Sequence, residues 1–172
     1  MQAVSVEDRR LVIGDPSLSD LSVTNKSLLT IAAVAACGNH LASVNLSFND
    51  ITSLAPLAGC ASLATLNVSH NKLKTLAGCP RSLRSLKCTH NEISSLDGVR
   101  ACLSIGELWA SNNGLNNLGA VVSIVSEMQS LRTLIMMRNP CCLTEPPELY
   151  RNAIINGMRA SGGGLAHYFF LL

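Results

Sequence analysis

The sequence predicts an α/β solenoid: stacked coils whose short parallel strands form a concave sheet, with a helical cap at the C-terminal end. Three observations carry this. One apolar unit, Leu63-x-x-Leu66-x-Val68-x-x-Asn71-x-Leu73-x-x-Leu76, recurs along the 172-residue chain. Its asparagine stands at 49, 71, 91, 113 and 139, at spacings of 22, 20, 22 and 26 residues. And 27 leucines against six aromatic residues dictate an aliphatic core.

The copies can be followed one by one. The unit before the clearest one is Leu41, Val44, Leu46, Asn49, Ile51, Leu54. After it come Leu83, Leu86, Cys88, Asn91, Ile93, Leu96, then Ile105, Leu108, Ala110, Asn113, Leu115, Leu118. The last full match is Leu131, Leu134, Met136, Asn139, running into Pro140. A degenerate opening copy, Leu18, Leu21, Val23, Leu28, Ile31, has Lys26 where asparagine is expected. This is the leucine-rich-repeat pattern, L-x-x-L-x-L-x-x-N-x-L. Alternation within x-x-L-x-L-x-x makes a short strand with one buried face. The amide at the turn carries donors and an acceptor for backbone groups that the turn leaves unpaired. A unit alone cannot bury its leucines, so coils must stack, with strands about 4.8 Å apart. Return segments such as Ala55-Pro56-Leu57-Ala58-Gly59-Cys60 are bulkier and lie outside, which curves the stack.

The ends differ from the middle. Residues 1–17 precede the first strand and are expected to cover its open core, residues 18–139 to hold about six repeats, and residues 140–172 to form the C-terminal cap. Val121, Val122, Val125, Met128 and Leu131 recur near helical spacing and predict a helix over 119–129. Thr144 or Glu145 can cap a second helix starting at Pro146-Pro147, with Tyr150, Ile154 and Met158 on one stripe and Ile155 widening it. Gly162-Gly163-Gly164 stops it. The apolar end Tyr168-Phe169-Phe170-Leu171-Leu172 must pack on the last repeat or continue into further sequence, which suggests the start of a longer protein.

Composition excludes several functions. A net charge of +2, from 13 basic and 11 acidic residues, gives no field for a polyanion binder driven by charge alone. No apolar run is long enough for a membrane span, and the N-terminus lacks a signal-peptide pattern. Seven cysteines without regular C-x-x-C pairs point to a reduced, intracellular setting, cytoplasmic or nuclear, with a cilium or flagellum as a further option. Cys37, Cys60, Cys79 and Cys102 close return segments and Cys88 replaces a core leucine, so all five are read as small apolar core groups. Cys142 is expected to be exposed and oxidisable. No phosphate-binding loop, nucleophile elbow or paired carboxylates appear, so no enzyme, cofactor or metal site is predicted.

Arg138-Asn139-Pro140 followed by Tyr150-Arg151 and Ile154-Ile155 resembles the end of a 22-residue-repeat subclass of leucine-rich-repeat proteins. That subclass includes the phosphatase-1 regulator, axonemal dynein light chain 1 and the spliceosomal A-prime protein. The resemblance covers roughly residues 18–160. Leu165 or Leu171-Leu172 would supply the closing leucine pair, but the aspartate that usually follows is absent. The resemblance implies a non-catalytic adaptor or regulatory subunit that binds a protein on its concave sheet. It leaves open a ribonucleoprotein subunit, which would meet RNA only within a ribonucleoprotein complex, and a structural scaffold in a larger cytoskeletal or flagellar protein. No membrane contact is expected, and the chain alone should be a monomer.

Strand periodicity assigns the third, fifth and seventh positions of each unit to the concave wall, with the eighth at the strand's end. The N-terminal half of that wall is small and polar. The C-terminal half gathers Trp109, Ile135 and Met137, flanked by Glu107, Lys87 and Arg138, as an exposed apolar cluster with a charged rim. Glu107-Leu108-Trp109 also resembles the penultimate strand of the phosphatase-1 regulator, where acidic and aromatic groups contact the phosphatase. At the eighth positions Phe48, His70 and His90 form a ladder. Phe48 is read as a packed spine residue of the convex turn, and the histidines as solvated strand ends or contacts for an acidic partner, since two alone make a poor zinc site. Lys72, Lys74, Arg81, Arg84 and Lys87, with no acid between Asp50 and Glu92, are read as a solvated repeat edge or a modest basic patch for RNA or an acidic protein.

Overall fold

The computed structural model describes residues 4–144 and 146–160. Six three-residue strands form one parallel sheet in chain order: β3 (Asp20–Ser22), β4 (Ser43–Asn45), β5 (Thr65–Asn67), β6 (Ser85–Lys87), β7 (Glu107–Trp109) and β8 (Thr133–Ile135). Before them, β1 (Val4–Glu7) and β2 (Arg10–Ile13) make an antiparallel hairpin. The strands are in strict register, unit on unit: Val44 opposite Leu66, Leu66 opposite Leu86, Leu86 opposite Leu108, Leu108 opposite Leu134. Every one of these leucines and valines is buried. The first, fourth, sixth and eleventh positions of each coil thus lie above their counterparts in the next, and the core is one continuous aliphatic column.

The asparagines serve the unpaired backbone groups as expected and link coil to coil in a ladder. Asn71 Oδ1 accepts the Ile51 N–H of the coil before it at 2.9 Å. Its Nδ2 donates to Leu46 O of that coil at 3.0 Å and to Val68 O of its own at 3.1 Å. Asn113 and Asn139 repeat this, on Ile93 N–H and Cys88 O, and on Leu115 N–H and Ala110 O. Asn49 reaches the opening copy, where it accepts from the Lys26 and Leu28 backbone N–H groups. Lys26 has no coil before it to serve, so its position tolerates a non-amide side chain.

Return segments are 3₁₀ segments, as at Ala32–His40, Ala55–Leu57 and Asp97–Val99, or turns, as between β5 and β6. They pack closely: a Cβ on Gly98 would lie 2.3 Å from the Leu76 carbonyl carbon. The hairpin turns at Asp8-Arg9, both at positive φ (44° and 61°), and places Leu11, 5% exposed, on the first coil. Leu29 N–H donates to Arg9 O at 2.9 Å, and the Arg9 guanidinium reaches both Ser27 O and the Asp50 carboxylate.

The helix expected over 119–129 is α1 (Leu118–Glu127), capped by Asn117, whose Oδ1 accepts the Ala120 N–H at 2.9 Å. A short α2 (Pro140–Leu143), not foreseen, turns the chain directly after Asn139. The predicted second helix is α3 (Pro147–Ala160), which buries Tyr150, Ile154 and Met158 as the stripe requires. It lies so close to α1 that a Cβ on Gly157 would meet Val122 Cγ1 at 2.5 Å. Glu145, the glycine triplet, Leu165 and the apolar end lie outside the described residues.

Candidate protein-binding face

The concave wall is set by the third and fifth positions, whose side chains leave the sheet opposite to the buried leucines. Three of the six seventh positions depart from expectation. Ser47, Ser69 and Ser111 are buried. At two of them the preceding asparagine folds over the backbone: Asn45 Oδ1 accepts the Ser47 N–H and Asn67 Oδ1 the Ser69 N–H, both at 3.1 Å.

At the C-terminal half the expected residues come together on adjacent strands. Lys87 and Trp109 are register partners on β6 and β7, and Lys87 Nζ stands 4.1 Å from the indole centroid. That is a cation–π contact, worth about 0.5–1 kcal/mol at an accessible site. Glu107, two residues before Trp109 on the same face, accepts the Ser85 hydroxyl at 3.1 Å. Trp109 is half-buried, and its Nε1–H is buried without an acceptor among the described residues. The exposed apolar cluster needs correcting at one place. Ile135, the register partner of Trp109, is only 8% exposed, so it is floor beside the indole and not contact surface. Met137 remains partly open and Arg138 exposed. Beyond them a cavity of about 390 Å³ lies between the end of the sheet and α2–α3, lined by Met137, Arg138, Leu143 and Tyr150. Sequence periodicity had assigned Tyr150 to the core alone; only the packing of α3 shows that it also lines a recess.

The second correction concerns Phe48, at an eighth position. Asn25, Phe48, His70, His90, Asn112 and Arg138 all have φ between 54° and 57°, the left-handed region. This turn ends each strand and aims the side chain along the sheet edge. Phe48 is therefore 54% exposed and is not a spine residue of the convex turn. Its ring stacks on His70 at 4.1 Å and 9°, and His70 on His90 at 4.2 Å and 11°. Parallel stacked imidazoles aim their nitrogen lone pairs side by side, not at one point, so this geometry does not converge on a metal. Desolvation, then the neighbouring His90, holds the His70 pKa below its ordinary value.

The basic residues do not make one patch. Arg81 and Arg84 precede β6, while Lys72 and Lys74 follow β5 at the other end of the strands. Lys72 is tied to Asp50 at 2.9 Å, and Lys87 to the indole. The cysteines are core groups: Cys37, Cys60, Cys88 and Cys102 are buried and Cys79 is partly buried against the core. Burial raises the Cys88 thiol to about 12. Cys142 is not exposed, as expected from its place in the chain, but 8% accessible, because α2 turns it under the last coil, where its thiol donates to Met136 O at 3.2 Å.

These coils, their asparagine ladder and their parallel concave sheet define a leucine-rich-repeat solenoid. No protein-family model and no curated protein matches the sequence. Solved structures do match the fold. An internalin (inlF) of Listeria monocytogenes is similar over 66% of this chain and 33% of its own, at 25% identity and a TM-score of 0.60. Internalin C2 of the same organism is similar over 70% and 62%, at 24% identity and a TM-score of 0.50. A leucine-rich-repeat protein of Leptospira interrogans is similar over 83% and 40%, at 19% identity and a TM-score of 0.56. The chain thus spans between a third and two thirds of the length of these neighbours. Among the described residues no helix is long and apolar enough to cross a membrane.

Proposed function

We propose that this chain is a non-catalytic interaction module that binds a partner protein on the C-terminal half of its concave sheet, as an adaptor or regulatory subunit. The observation that carries the proposal is the Lys87–Trp109 pair, held on adjacent strands with Glu107, Met137 and Arg138 around it. A tryptophan on a rigid strand loses little entropy on binding. Its charged neighbours supply the rim that makes such a residue an energetic centre of an interface. The leucine-rich-repeat neighbours support an interaction role and identify no partner.

The test is affinity capture of the partner on the full chain, followed by titration of Trp109→Ala. Binding should weaken by about 2 kcal/mol or more. Circular dichroism should show the solenoid intact. A variant that binds as tightly as wild type excludes this surface.

A further inference from the structure

A second surface lies at the other end of the sheet. β3 is an edge strand, and its parallel register decides which of its backbone groups are used. Val23 N–H donates to Asn45 O at 2.8 Å, and Ser43 N–H to Ser19 O at 3.1 Å. In a parallel pair, alternate residues turn their N–H and C=O to opposite sides. Asp20, Ser22 and Thr24 therefore direct theirs away from β4, and among the described residues no hydrogen bond reaches the backbone of Ser22 or Thr24.

The hairpin does not cover this edge. It joins the first coil through β2, where Leu11 N–H reaches Thr30 O and Arg10 bridges Thr30. The two-residue turn makes Glu7 and Arg10 a hydrogen-bonded pair, so Val4 and Val6 carry outward-facing backbone groups on β1's free side. Between these two edges lies a cavity of about 600 Å³, with Val4 and Val6 on one wall and Ser22, Thr24 and Lys26 on the other. Natural edge strands are normally blunted by charge, proline or a bulge. β3 is short, three residues with Asp20 at its start, and has no proline or bulge. Its charges stand at the two ends, Asp20 at the start and Lys26 after the strand, with no ion-pair partner for either among the described residues.

We propose that this groove is a strand-addition site for an extended peptide segment of a partner protein. The segment runs parallel to β3, continuing the sheet, with a basic residue beside Asp20 and an acidic one beside Lys26. Main-chain hydrogen bonds to Ser22 and Thr24 hold it, and the two end charges set its direction. The site is separate from the Lys87–Trp109 face and stands whether or not that face binds anything.

The experiment uses the full chain and a blocked peptide of about nine residues, which covers the extended stretch from Asp20 to Thr24 at about 3.3 Å per residue and reaches past the turn at Asn25 toward Lys26. Its lysine comes first, its glutamate last, and valine and threonine alternate between. Saturable binding by fluorescence anisotropy is expected, with amide exchange at Ser22 and Thr24 slowed at least tenfold in the complex. A peptide with lysine and glutamate exchanged should bind at least tenfold more weakly. Ser22→Pro removes an outward N–H that the β3–β4 ladder does not use, and should abolish binding; proline is tolerated at such edge positions. Should that variant fail to fold, Lys26→Glu should lower affinity about tenfold with the backbone untouched. Trp109→Ala should leave peptide binding unchanged. Unaltered exchange at Ser22 and Thr24, or equal or tighter binding of the reversed peptide, overturns the proposal. So does a concentration-dependent dimer that protects the same amides without peptide, since the occupant would then be a second copy.

Discussion

Lys87 caps the indole of Trp109 from the neighbouring strand, its ammonium 4.1 Å from the ring centroid. The contact exists because the two residues occupy the same position in consecutive coils, so the parallel register sets them side by side on the concave wall. A partner that offers an acidic group to Lys87 and an apolar one to the indole edge meets both at once.

Lys87→Met keeps the length of the side chain and removes its charge. Stability should fall by about 0.5–1 kcal/mol. The emission of Trp109, the chain's single tryptophan, should shift. Urea denaturation followed by fluorescence measures both, and unchanged values on both counts would show that the contact contributes nothing in solution.

Asn71→Ala strands the buried Ile51 N–H, while Leu46 O keeps the Asn49 Nδ2 donor and Val68 O keeps that of Asn91. At about 1–3 kcal/mol for an unsatisfied buried group, the variant should lose about 1–3 kcal/mol. Lys26→Asn, by contrast, should stay within about 0.5 kcal/mol of wild type, because no coil precedes it. Equal effects at the two positions would contradict a directional ladder.

Gly98→Ala should be strongly destabilising although its φ suits any residue. The added methyl would meet backbone, at 2.3 Å from the Leu76 carbonyl carbon, and backbone cannot rotate aside. Thermal unfolding by circular dichroism should show a drop in Tm of at least several degrees. Ala at Gly59, where a Cβ meets nothing within 4 Å, should have little effect.

Asp50 links the hairpin to the repeats, and its pKa lies below the ordinary carboxylate value. The Lys72 hydrogen bond is the main cause, opposed by some desolvation and reinforced by Arg9. In the unfolded chain the group takes up its proton at a higher pH, near about 3.9. Its stabilising contribution is therefore complete above that value and disappears as pH falls through the lower folded one. Urea midpoints of wild type and Asp50→Asn should differ at pH 6 and converge on acidification below pH 4. A gap that persists at the acid end would assign the stabilisation to something other than the carboxylate's charge.

How much of this was written in the chain can be judged from particular residues. The coils, the asparagine ladder and the helices at 118–127 and 147–160 follow from spacing, because a repeated unit with one apolar face has few ways to bury it other than on its neighbour. The pairing of Lys87 with Trp109 was legible for the same reason: register converts equal repeat position into spatial contact. Ile135 and Phe48 were not legible. Alternation puts Ile135 on the concave face, but its burial at 8% depends on what packs around the last strand, which no local pattern encodes. Phe48 was read from its repeat position as a spine residue of the convex turn, whereas a backbone φ of 57° swings it out to stack on His70.

The sequence by itself determined the modular solenoid, since its period dictates which side chains must be hidden. Only the tertiary structure decided which edges and rings stay open: the bare flank of β3 beside the hairpin, and the stacked Phe48–His70–His90 edge. Those outcomes depend on how non-repeating ends and left-handed turns meet the sheet in space, and one-dimensional periodicity carries no information about that.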